Sequence, residues 1–145
     1  MVAVACAAVL SACAAAPPPK PVPLTFSVES GADLNPDASG RASPVVVRLY
    51  QLSTDADFMK ADFFALYRNE DAALGKTLVA RQEFIAVPGE KSSVKVDLAN
   101  ETSVLAVIVA FRDINQAEWR LTSPSKNRTP TLVLKANTAQ WAAQR

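Results

Sequence analysis

Of the groups in this chain that could react, the thiol of Cys13 stands in the most specific setting. Leu10-Ser11-Ala12-Cys13 puts a branched apolar residue and two small residues before a cysteine, at the end of the chargeless run MVAVACAAVLSA. That run is too short to span a bilayer, which takes ~20 apolar residues. It suits the apolar core of an export signal, which takes about 7–15. Its ending resembles the bacterial lipobox, in which small residues fit the signal peptidase and the thiol receives a diacylglycerol. Residues 1–12 are expected to be a lipoprotein signal peptide and Cys13 the lipidated start of the mature chain. The basic n-region of such a signal is missing, which points to a start assigned too far downstream or to a trimmed chain. Cys6, in AVAC, has almost no apolar run before it and makes a poor second lipobox. A Cys6–Cys13 disulfide is the other use of the two thiols, and it would staple only a tail. Cleavage before Cys13 leaves a mature chain with no disulfide in an oxidising compartment.

Other reactive groups are sparse. The chain has no histidine, so the commonest general base and metal ligand is missing, and a lipidated cysteine cannot act as a nucleophile. Asp33, Asp37, Asp55, Asp57 and Asp62 cluster in two stretches, DLNPDASG and STDADFMKAD. Neither stretch has the ligand spacing of a calcium loop, so caps and turns are the expected roles. Glu83, Glu90, Asp113 and Glu118 offer no spacing that selects a catalytic pair. For Arg112 and Asp113 a structural ion pair is the default, and Trp119 reads as core. Fifteen basic against fourteen acidic residues give a net charge of +1, without the clustered basic face that nucleic acid requires. No enzyme activity, cofactor or metal is expected.

The elements that must carry these residues can be read from the hydropathy pattern. Residues 13–23 hold the lipidated cysteine and a proline-rich linker, AAAPPPKPVP, which favours an extended path of about 3.1 Å per residue. Ala14 to Pro21 would thus form a semi-rigid stalk reaching roughly 25 Å. Val22, Leu24, Phe26 and Val28 alternate with polar residues, as a half-buried strand requires. GADLNPDASGRAS, residues 31–43, is a long polar loop of turn formers, and such loops on a rigid scaffold are where partner contacts concentrate. PVVVRLYQL, residues 44–52, is apolar on both faces and reads as an inner strand. Residues 53–75 read as two short helical pieces, with Ser53 or Thr54 as N-cap and Gly75 closing the second. Within them Phe63 and Phe64 cannot both face inward easily, and covering the core is the expected role of this segment. Residues 77–87 return to a strand, and Pro88-Gly89 reads as a type II turn. Val94, Val96 and Leu98 alternate in its partner. VLAVIVAF, residues 104–111, reads as the most buried strand, and Ala117, Trp119 and Leu121 as a further one. Residues 123–130 read as a loop, 131–134 as a last clear strand, and 137–145 more weakly. Seven or so short strands with regular turns predict a mainly β protein, an antiparallel β-sandwich over residues 24–145 with a helical insert between early strands.

LNPDASGRASPVVVRLYQL (34–52), FMKADFFALY (58–67), VPGE (87–90) and VIVAFRDINQAEWR (107–120), in this order behind a lipobox, resemble the TssJ family, the outer-membrane lipoproteins of the bacterial type VI secretion system. The resemblance covers nearly the whole mature chain. It implies a transthyretin-like β-sandwich and a non-enzymatic role in the periplasm, binding the C-terminal region of the inner-membrane protein TssM and, through it, TssL. The loop between the first two strands is implicated in TssM binding in the family, and maps here onto Asp33, Leu34, Asn35, Pro36, Asp37, Gly40 and Arg41. Ala14 agrees with the outer membrane, since in enterobacteria-like sorting an Asp after the lipidated cysteine retains the protein in the inner membrane. The competing reading is a periplasmic ligand-binding or other envelope lipoprotein on the same sandwich, since fold alone does not settle function; a deep apolar pocket would favour it.

Overall fold

The alternation at residues 22–28 becomes a strand in the computed structural model, which describes residues 20–127 and 129–143. The signal segment, Cys13, Ala14 and the stalk as far as residue 19 lie outside the described residues. Among the described residues the chain forms eight strands: β1 (Val22–Ser30), β2 (Val45–Leu52), β3 (Leu78–Ala86), β4 (Lys91–Leu98), β5 (Val104–Val109), β6 (Arg120–Pro124), β7 (Thr131–Lys135) and β8 (Thr138–Trp141). Three short helices, α1 (Ala56–Lys60), α2 (Phe63–Arg68) and α3 (Glu70–Leu74), and a 3₁₀ turn (Gly75–Thr77) lie between β2 and β3. The strands make two sheets in the orders β4-β1-β7-β8 and β3-β2-β5-β6. Among the described residues these strands pair antiparallel except β1 with β7, which is parallel.

Period-two alternation sets what fills the space between the sheets. From one sheet come Leu24, Phe26, Val28, Val96, Leu98, Leu132 and Leu134, and from the other Val45, Val47, Leu49, Leu105, Val107 and Val109, all buried in one cluster. Each fully buried side chain of this size is worth about 1.5–3 kcal/mol relative to exposure. The grooves lie at the surface. One runs past Thr122, Thr131 and Trp141, and another past Lys60, Phe64 and Ile114.

β2 and β5 are largely apolar on both faces because the helices cover most of their outer side as well. On the outer side, Tyr50, Leu52, Ala106 and Ile108 meet Phe58, Phe63, Leu66 and Leu74 of the helices in a second core. Phe63 turns in while Phe64 stays 51% exposed, the split that two adjacent residues on a short helix impose. Trp119 packs against both cores. A ring of charges closes the helical layer. Arg48 Nε donates to Glu83 Oε2 at 2.6 Å, and its Nη1 to the Tyr67 carbonyl at 2.7 Å and Glu70 Oε2 at 3.3 Å. Glu70 also accepts from the Tyr50 hydroxyl at 3.0 Å and pairs with Arg81 at 2.9 Å. Burial, opposed in part by Arg48, pushes the Tyr50 hydroxyl well above its ordinary range, so it stays a donor. For Arg48 burial is the largest influence and works against the charge, but hydrogen bonding to Glu83 and Tyr50 and their electrostatic attraction together outweigh it, and the pKa rises.

Four local readings are corrected. The insert has three helices and a 3₁₀ turn rather than two pieces, because the chain must bend repeatedly to keep short apolar runs on one sheet face. Asp55 and Asp62, not Ser53 or Thr54, stand at the N-caps, and the Asp62 side chain accepts from the Ala65 N–H at 2.8 Å. The strand expected at 117–121 starts at Arg120. Ahead of it Glu118 bridges to Thr138 of the other sheet, so the burial alternation was right but the bonding partner was not local. Arg112 turns to the loop at residues 31–43 instead of to Asp113, its Nη2 lying 3.4 Å from Ser43 Oγ. The Pro88-Gly89 turn forms as expected, with Gly89 at φ 76° and the Glu90 N–H on the Val87 carbonyl.

Candidate functional site

The loop after β1 closes one end of the sandwich, and its residues divide into a buried root and an exposed tip. At the root, the Gly31 N–H donates to the Leu134 carbonyl at 2.7 Å. A Cβ on Gly31 would lie 3.2 Å from that carbonyl, which would have to give by a few tenths of an ångström, and against the exposed Asp33 carboxylate, which can swing away. Leu34 is fully buried in the inter-sheet core. Asn35 is buried at φ +48°, a left-handed conformation that asparagine tolerates better than most residues. Its N–H donates to the Ala136 carbonyl, its Nδ2 to the Pro44 carbonyl, and its Oδ1 accepts from the Arg112 N–H at 2.8 Å. One residue thus ties the loop to three segments, by its backbone to the turn between β7 and β8, and by its side chain to the start of β2 and to the chain leaving β5.

The tip, Asp37 to Arg41, is ordered by a carboxylate. Asp37 Oδ1 accepts from the Ser39 hydroxyl at 2.6 Å, the Ser39 N–H at 2.9 Å and the Arg41 N–H at 3.0 Å, and Oδ2 from Arg41 Nε at 3.2 Å. The Ser39 hydroxyl first, then the Arg41 N–H, holds the Asp37 carboxyl below its ordinary value. This ordering is complete above the ordinary value of 3.8 and is lost as pH falls through the depressed one. Gly40 supplies φ +81° where the tip reverses.

The seven residues singled out from sequence therefore fall into two groups. Asp33, Gly40 and Arg41 are exposed, and Pro36 and Asp37 half-buried. Leu34 and Asn35 are inside and can act on a partner only by holding the tip in place. Sequence reading missed Arg112 as part of this construction. No local pattern marks it, because its partners in the loop lie far along the chain. Replacing Asn35 with alanine removes two side-chain hydrogen bonds and leaves a Cβ residue at positive φ. The expected cost is about 2–4 kcal/mol of unfolding free energy, read by chemical denaturation. Asn35→Gly, which relieves only the backbone strain, should recover roughly a third to a half of it.

Among the described residues no cluster of His, Cys, Asp and Glu could hold a metal ion. What the end of the sandwich offers is a preformed polar projection on a rigid base. Compared with family models, residues 22–141 match the family described as type VI secretion lipoprotein, VasD, EvfM, TssJ, VC_A0113. Among solved structures the chain is similar to the type VI lipoprotein TssJ1 from Pseudomonas aeruginosa, with 34% identity and a TM-score of 0.78 over 86% of this chain and 98% of that one. It is similar to Serratia marcescens Lip, described as a membrane-bound component of the Type VI Secretion System, with 20% identity and a TM-score of 0.79 over 83% and 97% of the two chains. A chain in a structure described as the TssM C-terminal domain from EAEC matches with 22% identity and a TM-score of 0.73 over 84% of this chain and 98% of that one. The latter two likenesses speak to the fold alone. No curated protein matches the chain.

Proposed function

This chain belongs to the TssJ family of type VI secretion lipoproteins, and from that premise we propose that it docks the inner-membrane protein TssM to the outer membrane. Lipid on Cys13 holds it to the periplasmic face of the outer membrane, and the segment 13–23 spaces the sandwich from the bilayer. The periplasmic C-terminal region of TssM binds the loop at residues 31–43, and TssL joins through TssM. The role is mechanical, with no reaction catalysed.

The observation that carries this reading is the placement and build of the loop. β1 starts at Val22, next to the linker, and ends at Ser30, where the loop begins. Nine residues of strand put the tether and the loop at opposite ends, roughly 25–30 Å apart. A protein tethered at one end presents the other to the space across the periplasm. The tip is already ordered by Asp37 and rooted by Asn35, so a partner does not have to order it on binding.

The test replaces only residues 36–41 by a Gly/Ser linker and keeps the buried Leu34 and Asn35. The purified variant should bind the periplasmic C-terminal region of TssM at least about tenfold more weakly in a calorimetric titration, a loss of about 1.4 kcal/mol. Its melting temperature should stay within a few degrees of the parent. Equal affinity would move the interface off the loop.

A further inference from the structure

Beyond the ring of charges that seals the helices, the outer face of the β3-β2-β5-β6 sheet carries apolar side chains that, among the described residues, neither core takes in, with Ile85 and Val87 exposed and Val46 half-buried. Along β2 and β3 the outward pairs run Tyr50 with Arg81, Arg48 with Glu83, then Val46 with Ile85. The first two belong to the helical layer and its polar seal. The third lies past the seal, and neither hydrophobic core includes Val46, Ile85 or Val87. Ile85 is 64% exposed and Val87 36%, and the Ala110 N–H bonds the Val46 carbonyl beside them. β3 is an edge strand, where exposed positions are ordinarily blunted by charge or proline.

This strip is continuous with the root of the loop at residues 31–43. Val87 opens the turn between β3 and β4. The Gly89 N–H of that turn donates to the Gly31 carbonyl at 3.1 Å, and the Ser30 N–H to the Glu90 carbonyl at 2.9 Å. Loop and strip are thus fixed to one another by backbone hydrogen bonds and move as one surface. Interfaces draw their affinity from a few apolar anchors ringed by polar groups. The loop tip is polar and supplies no such anchor, whereas the strip supplies Ile85 and Val87 with Arg48 and Glu83 at its rim.

We infer that the docking surface extends from the loop onto Val46, Ile85 and Val87, and that the periplasmic segment of TssM that meets the loop lays apolar side chains on this strip. This rests on the docking reading above. The test titrates the TssM C-terminal region into the intact sandwich carrying Ile85→Asp, with Ile85→Ala as the milder variant should the first fail to fold, and into the loop variant of residues 36–41. Ile85→Asp should weaken binding at least about tenfold with the melting temperature unchanged, and Ile85→Ala about threefold or more. Loss in the loop variant alone overturns the strip and leaves the docking reading standing. Loss in the Ile85 variants alone retains the strip and removes the loop from the interface. A parent protein that does not bind TssM overturns both. Sedimentation showing a dimer that Ile85→Asp dissolves, with TssM affinity unchanged, overturns the inference and assigns the strip to a second copy of this chain.

Discussion

Replacing Arg48 with alanine should lower unfolding stability by about 2–4 kcal/mol, somewhat below the usual cost of breaking a buried charge pair from one side, because Glu70 keeps its pairing with Arg81. The side chains of Arg48 and Glu70 are only 12% and 16% exposed, whereas Glu83 is 43% exposed and its share is discounted for solvent screening. Arg48 joins three partners from three different elements. Glu83 lies on the neighbouring strand, the Tyr67 carbonyl at the end of α2 and Glu70 at the start of α3. Its guanidinium also sits 4.2 Å from the centre of the Tyr67 ring, a contact that favours the cation. Without Arg48, the Tyr67 carbonyl loses its donor and the helices lose their polar seal on the sheet. A melting temperature lowered by roughly 5–15 °C is expected, read by circular dichroism. Arg48→Lys should recover less than half, because one ammonium lacks the planar fork that serves Glu83 and Tyr67 together. A shift of less than about 3 °C for Arg48→Ala would show that the ring behaves as a solvated surface pair.

The second large effect concerns Cys13. Cys13→Ala should turn a membrane-bound protein into a soluble periplasmic one, because two acyl chains are enough for stable anchoring and none would remain. The folded strands begin at Val22, so thermal stability and affinity for the TssM region should match the parent in vitro. Secretion should be lost all the same, since a docking module held at one end only transmits no force. Fractionation after osmotic shock, run beside an assay of secreted protein, separates the two consequences. Normal secretion by the soluble form would remove the mechanical role while leaving the binding reading intact.

Both predictions differ in how far the chain announces them. Cys13 is legible because the signal is local, four residues and the run before them. Arg48 is visible only as a lone charge in PVVVRLYQL, and its three partners lie 19, 22 and 35 positions away. The same contrast holds at the loop. Its length, polarity and turn formers are plain in GADLNPDASGRAS, and so is its candidacy for partner contacts. That Leu34 and Asn35 are buried within it is not, because burial there comes from the loop folding across the open end of the sandwich. The exposed Ile85 falls between these cases. Once Phe84 and Ala86 are assigned to the inner face, Ile85 must face out, but whether helices cover it depends on where the insert ends over the sheet.

What the amino-acid order determined by itself was the run of strands with their inward faces, the two strands buried on both sides, the glycine turn at residues 88–89 and the family likeness. Each is a short-range property, since side chains alternate along a strand and turns form between neighbours whatever lies opposite. Only the tertiary structure decided that β1 runs parallel to β7, that Glu118 crosses to Thr138, that Asn35 ties the loop to three other segments, and that the Ile85 strip lies open beside it. Alternation says which way a residue faces but not which strand or helix arrives in front of it. That is settled when the two sheets and the helical layer pack together.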